Sequence, residues 1–277
     1  MQLYALDAQD RVIAARHAKK QWNYICLECR GSVRLRGGPQ RQKHFFHPSP
    51  LNTCKLSAKG MPHIQVQSRL QKHLPAGELQ LERRFPAINR IADAVWEPHK
   101  IIFEVQCSPI SGSEIVERNR DYGSLGYQVV WILHDSLYNK HWLSAAELVL
   151  HTLPHYFTDI NADGRGQIYD QFDICLQGSR HKRKARAAIE VHSPHPMQKM
   201  EPLLPQKVSK RQSKWPIYFQ GDLLDRCRQD PELAAALVEE EAQMFGKNKK
   251  SWMRSWLDKA LQAYEVLFRM LLERASK

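Results

Sequence analysis

The chain has 277 residues, 41 Lys and Arg against 29 Asp and Glu, a formal net charge of +12, and six cysteines. That length suits one large domain or two modest ones, and no apolar run reaches the roughly 18 residues a membrane span needs. The start, Met1-Gln-Leu-Tyr-Ala-Leu-Asp7, has no basic patch followed by an apolar stretch, so a secretory signal is not expected and a cytoplasmic location is; there, so few cysteines read as reduced thiols or metal ligands.

The charge is uneven. Residues 1–60 hold 11 Lys/Arg against 3 Asp/Glu, residues 61–155 hold 9 against 10, residues 156–220 hold 11 against 6, and the last 57 residues hold 10 against 10. A balanced core between basic flanks suits action on a gripped polyanion, although general basicity would give the same counts.

Residues 1–59 read as a small β-rich module stapled by metal. Leu3-Tyr-Ala-Leu6 and Val12-Ile-Ala-Ala15 flank a turn composition, Asp7-Ala-Gln-Asp10, and predict a hairpin. Cys26-x-x-Cys29, His44-x-x-His47 and Cys54 then offer five ligands for the four places of tetrahedral zinc. Cys26, Cys29, His47 and Cys54 are the preferred set, with His44 as substitute or supporting partner. Four protein ligands close a site, so this Zn²⁺ is expected to be structural.

Residues 60–155 predict a core of helix, strand, strand, helix, strand. Pro62 suits the first turn of a helix, and Ile64, Val66, Leu70 and Leu74 recur on roughly helical spacing. Two apolar runs follow, Arg90–Trp96 and Ile101–Cys107, joined by Glu97-Pro-His-Lys100. If those four residues turn the chain, Trp96 pairs with Ile101 and Asp93 falls opposite Glu104. Side chains alternate along a strand, so Asp93, Glu104 and Gln106 share one face. Like charges directly opposite destabilise a pair; a divalent cation between them removes the penalty, and Mg²⁺ is commonly held by one or two carboxylates with substrate phosphates. Both acids sit among apolar residues, where a carboxylate needs partners. Ser113 is expected to cap the next helix, Tyr127–Leu133 reads as a strand buried on both faces, and Ser144 begins a further helix.

Residues 156–220 read as an appended strand, Gln167–Leu176, then a basic run, Arg180–Arg186, and an extended linker with five prolines between Pro194 and Pro216. The basic run either contacts phosphates or is simply solvated. Asp159–Asp170 partly matches a calcium loop, but it ends in Asp rather than Glu and has Gly166 where an apolar residue belongs, so a hairpin turn is expected. Residues 221–277 read as helical: Asp222–Cys227, Pro231–Phe245 and Ser251–Arg274, the last with Trp252, Trp256, Leu257, Leu261, Tyr264 and Leu267 on one face.

The set Tyr4-Ala-Leu-Asp7, Cys26-x-x-Cys29, His44-Phe-Phe-His47, Ala92-Asp-Ala-Val95, Phe103-Glu-Val-Gln-Cys-Ser108, Arg118 and Tyr122 four apart, and Val130-Trp-Ile-Leu133 resembles the competence protein CoiA-like family of PD-(D/E)XK nucleases over roughly residues 1–155. The resemblance implies an α/β, restriction-endonuclease-like core (αββαβ) behind a zinc-ribbon-like module and before a C-terminal helical region. It implies Asp93 and Glu104 as ligands of Mg²⁺ or Mn²⁺. Gln106 stands where such nucleases carry Lys, and Gln offers hydrogen bonds but neither charge nor a useful proton acceptor.

The expected function is Mg²⁺-dependent hydrolysis of DNA phosphodiester bonds during natural transformation and recombination. Gln106 would orient water or phosphate, and His63, with Gln67 one turn on, would approach the carboxylates. Arg118 and Tyr122 either bracket the site or serve packing and ion pairing. The expected partners are DNA, single-stranded or branched, and a recombinase. The alternative is a nuclease-fold DNA-binding module that assists a recombinase without cutting.

Overall fold

The computed structural model describes residues 1–38, 41–49, 54, 56, 59–151, 153–184, 186–198 and 203–246. The N-terminal module contains β1 (Tyr4–Leu6), β2 (Val12–Ala14), β3 (Asn23–Ile25), β4 (Ser32–Gly38) and β5 (Arg41–Phe46), in one sheet of order β2-β1-β3-β4-β5. β4 shows why it pairs as it does: Val33 and Leu35 are buried while Ser32, Arg34 and Arg36 face out, the period-two pattern of a half-buried strand. Gln2 bridges back to Phe45 through two backbone hydrogen bonds of 3.0 and 2.8 Å, which ties the start of the chain, just before β1, to the edge strand β5.

The core is a seven-stranded mixed sheet flanked by helices. In chain order its parts are α1 (Met61–His73), β6 (Leu79–Phe85), β7 (Arg90–Trp96), β8 (Ile101–Gln106), α2 (Gly112–Gly123), β9 (Gln128–His134), α3 (Ala145–Leu150), β10 (His155–Thr158) and β11 (Ile168–Asp170). With β14 (Ala187–Ala188), these strands take the order β14-β11-β10-β9-β8-β7-β6. β8, β9 and β10 run parallel, and the remaining neighbours are antiparallel. Ile64, Val66 and Leu70 of α1 pack with Phe103, Val105, Val130 and Ile132 on one face. Ile115 and Tyr122 of α2 and Leu150 of α3 pack with Ile102, Val129, Trp131 and Leu133 on the other. A central parallel strand covered on both sides has to be apolar throughout, and each large side chain so buried contributes about 1.5–3 kcal/mol.

Two sequence expectations change here. The core has three strands before α2, not two: β6 pairs with β7 from Leu79↔Trp96 to Phe85↔Arg90. Its alternation is broken at Glu82, a buried residue with φ of 52° that falls outside the paired register. The cap of α2 is Ser111, whose hydroxyl accepts the Glu114 N–H at 3.1 Å, rather than Ser113.

The region read as a linker is folded. It contributes β12 (Asp173–Leu176) paired with β13 (Ser179–Arg183), then β15 (Glu190–Pro196), α4 (Gln206–Lys214), β16 (Ile217–Gln220) and α5 (Leu223–Gln229). Pro194 and Pro196 are tolerated because β15 pairs with β16 alone, in a two-stranded sheet. The region has an apolar core of its own, in which Phe172, Ile174, Val208, Tyr218 and Leu224 pack together, and buried ion pairs accompany it. Arg211 is forked onto Asp170, Nη2 to Oδ1 at 2.9 Å, and Lys207 pairs with Asp173. The basic run is also internally engaged: Arg180 is buried against Asp173 (2.6 Å) and Glu147 (3.0 Å), and Arg186 reaches Asp135 and Asp159 (both 3.2 Å).

The Asp159–Asp170 segment is a turn between β10 and β11. Asp159 Oδ1 accepts Gln167 N, Asn161 Oδ1 accepts Asp163 N and Arg165 N, and at Gly166 (φ +120°) a Cβ would lie 2.7 Å from Asp159 O. Residues 231–246 are helical; the stretch Ser251–Arg274 lies outside the described residues. No helix among the described residues is long and apolar enough to cross a membrane.

Candidate functional site

The turn Glu97–Lys100 places Trp96 opposite Ile101, Val95 opposite Ile102 and Ala94 opposite Phe103. The ladder ends one position before Asp93 and Glu104. There the Asp93 carboxylate stands in for a strand partner, Oδ2 accepting the Val105 N–H at 2.8 Å. Its other oxygen, Oδ1, lies 2.6 Å from Lys59 Nζ and 3.2 Å from His63 Nε2 at the start of α1. Burial opposes the charge, yet His63 and Lys59 hold the carboxyl well below its usual range. Burial pushes the pKa of the His63 ring down while the Asp93 charge pulls it up.

Glu104 follows the β8 alternation toward α2. Oε2 accepts Arg118 Nη1 at 2.6 Å and Oε1 accepts the Tyr122 hydroxyl at 2.9 Å. Burial lifts its carboxyl to about 7 against the pull of Arg118, and the nearby Asp93 charge adds to the lift. The two acids therefore feel each other but keep separate partners, one set from the α1 side and one from α2.

A cleft of about 960 Å³ opens beside them, lined by Lys59, His63, Asp93, Gln106 and Arg118 among others. Gln106 faces this cleft and bonds to Ser108; Glu104 lies behind the wall. His63 and Gln67 gather at Asp93, where Gln67 Nε2 donates to the Asp93 carbonyl at 2.9 Å. Arg118 and Tyr122 gather at Glu104. Among the described residues, Asp93 and Glu104 belong to no set of three donors within 4.8 Å of one another. Among the same residues, buried Gln67 Oε1 has no hydrogen-bond partner, His63 Nε2 faces Asp93, and a lysine ammonium rests against the same carboxylate. The Asp93 carboxylate thus draws a cation to the cleft, and a divalent ion there would have to displace Lys59.

Lys59 and Glu82 escaped the sequence reading. Neither sits in a motif: Lys59 is one lysine before Gly60, and Glu82 lies where β6 loses its alternation. Glu82 Oε2 accepts Leu3 N and Tyr4 N, both at 3.1 Å, which ties the N-terminal module to the core.

In that module Cys26, Cys29, His47 and Cys54 bring their ligand atoms within 4.8 Å of one another. Cys29 Sγ lies 3.2 Å from His47 Nε2, and Cys26 Sγ lies 3.7 Å from Cys54 Sγ. Three thiols and one imidazole in this array can hold zinc. His44 is directed elsewhere, its Nδ1 on the Gln42 carbonyl at 2.9 Å. A second, exposed group, His73, Glu190 and His192, does not line the cleft.

Family models match two consecutive stretches: the competence protein CoiA N-terminal domain over residues 6–57 and the competence protein CoiA nuclease-like domain over residues 60–163. The chain belongs to the competence protein CoiA family. In CoiA terms the zinc-capable array lies in the N-terminal domain, and the β7–β8 hairpin with both acids lies in the nuclease-like domain. Comparison with curated proteins and with solved structures gave no match.

Proposed function

We propose that this CoiA-family protein hydrolyses DNA phosphodiester bonds with Mg²⁺ or Mn²⁺, in the processing of DNA for transformation and recombination. The observation that carries the reading is a pair of buried carboxylates on adjoining strands whose charges act on each other, Asp93 lining a cleft with cationic walls and Glu104 behind that wall. Asp93 and Glu104 would hold the metal, which supplies Lewis-acid polarisation of the phosphate and a more acidic water. Water adds to phosphorus and one P–O ester bond breaks. One hydrogen of the water ends on the leaving hydroxyl and the other on the terminal phosphate or in solvent. His63, 3.2 Å from Asp93, would accept the proton that leaves the water. Gln106 hydrogen-bonds water or a phosphate oxygen from the cleft wall.

The test is incubation of purified protein with single-stranded, duplex and branched DNA, with Mg²⁺, Mn²⁺ or chelator. Asp93→Asn and Glu104→Gln should each lower the cleavage rate on the order of 1,000-fold, the equivalent of ~4 kcal/mol of transition-state stabilisation. Cleavage that survives either change places the chemistry elsewhere.

A second reading follows from a specific observation: Glu104 is already paired with Arg118 at 2.6 Å, and Gln106 brings no charge. On that reading the domain holds DNA for a recombinase and does not cut it. DNA binding retained by Asp93→Asn, with no cutting by any form, supports this one.

A further inference from the structure

Lys59 falls in the joint between the two matched stretches, after residue 57 and before residue 60. Its side chain is 12% exposed and lines the cleft, and its ammonium lies 2.6 Å from Asp93 Oδ1 and 3.7 Å from Glu82 Oε1. Of the other cations of the cleft wall, Arg84 is exposed and donates to the Leu27 carbonyl, while Arg90 is shared between Glu114 (2.8 Å) and Asp121 (2.9 Å). Arg118 bridges Glu104 (2.6 Å) and Glu114 (2.8 Å). A guanidinium caught in such a fork cannot turn without breaking several bonds. An ammonium has three donors on a flexible stem, and among the described residues only Asp93 lies within hydrogen-bond reach of this one.

We propose that Lys59 is a catalytic residue of the phosphodiester site: its ammonium balances Asp93 in the resting protein and turns to a non-bridging phosphate oxygen when a divalent cation takes the carboxylate. The inference rests on the nuclease reading above. It supplies the mobile positive charge that Gln106 lacks, and it makes the N-terminal module part of the site. The backbone that presents Lys59 is pinned from that module. The Met1 amino group donates to Leu56 O (2.8 Å) and Lys59 O (3.1 Å), and Glu28, between Cys26 and Cys29, accepts Leu56 N at 2.9 Å.

Lys59→Gln is compared with the unaltered full chain by single-turnover cleavage, Mn²⁺ calorimetry and the salt dependence of DNA affinity. The variant should cleave about 100-fold more slowly at saturating metal and DNA, in the range lost with one oriented transition-state donor. Its Mn²⁺ affinity should be equal or tighter, because the competing ammonium is gone. The slope of log affinity against log salt should shrink by about 0.7–0.9, the share of one phosphate contact. Cleavage within about threefold of the unaltered chain, or a defect cured by more metal or DNA, overturns the proposal. Because Lys59→Gln leaves buried Asp93 without its ammonium partner, the salt slope is also measured for Asp93→Asn and for Asp93→Asn with Lys59→Gln. A slope that falls between those two supports a phosphate contact, and equal slopes refute it. If the unaltered chain cuts no DNA under any condition, the nuclease reading fails on its own, while the slope comparison still decides whether Lys59 meets a phosphate.

Discussion

His155 shows how one buried side chain sets a pH dependence. Its ring is 6% exposed, lies near Phe157, and bonds to the Leu153 carbonyl at 3.0 Å. Burial, reinforced by Lys207 and Arg211, pushes its pKa down to about 3. An unfolded chain protonates histidine near 6.5, so between pH 6.5 and 3 the unfolded state binds the extra proton and stability falls as the pH falls. Over pH 6.5 to 4 this one residue should remove up to ~3 kcal/mol. Denaturant melts across that range should show the slope in the unaltered protein and its loss in His155→Gln, whatever that change does to absolute stability. An unchanged slope would assign the acid sensitivity to other groups. Lys59 poses the same problem in the site: its charge is defined by what surrounds it, and neighbours in sequence say nothing of that.

At the scale of elements, the sequence was legible where chemistry is local. The β7–β8 hairpin could be read because Glu97-Pro-His-Lys100 supplies a turn and the flanking apolar runs set the register. α1, β9 and the capped α3 were legible for the same reason. β6 was not, because Glu82-Arg83-Arg84 interrupts its alternation and the residue at fault points its carboxylate at the backbone of β1. The segment from Pro194 to Pro216 looked unfoldable because its partners are distant: Lys207 meets Asp173 and Arg211 meets Asp170, 34 and 41 residues earlier. Composition shows the charges but not that they cancel one another inside the protein. That pairing should be costly to break from one side. Arg211→Ala strands Asp170 among buried groups and should cost about 3–5 kcal/mol in urea melts, whereas Arg211→Met with Asp170→Leu should recover most of it. Equal losses in the single and double variants would mean that packing on Tyr156 and Trp215, not the charge pair, holds α4 against the sheet.

For the whole molecule, the same pairing bears on where a polyanion would be gripped. In residues 156–220 Arg180, Lys207 and Arg211 are buried in ion pairs, out of a polyanion's reach, but their partners Asp170 and Asp173 are buried with them, so the surplus of five falls only to four. Residues 1–60, with 11 Lys/Arg against 3 Asp/Glu, have the larger surplus, and seven of those cations are exposed among the described residues: Arg34 and Arg36 project from the exposed face of β4, and Arg36 lies over the Phe46 ring at 4.2 Å. The proposed DNA substrate would therefore be held chiefly by the N-terminal module and presented to the acids through the Lys59 joint. Each phosphate neutralised contributes about 0.7 to the salt slope on single strands and about 0.9 on duplex. Arg34→Ala with Arg36→Ala should thus flatten the slope by about 1.4–1.8 and weaken binding similarly for all sequences, as backbone contacts do. Because both side chains face solvent, the double variant should melt within about 0.5 kcal/mol of the unaltered chain, which separates lost contacts from lost folding. A slope that stays the same in the double variant would move the DNA off this sheet, and the path from module to cleft would have to be redrawn from the core's own cations.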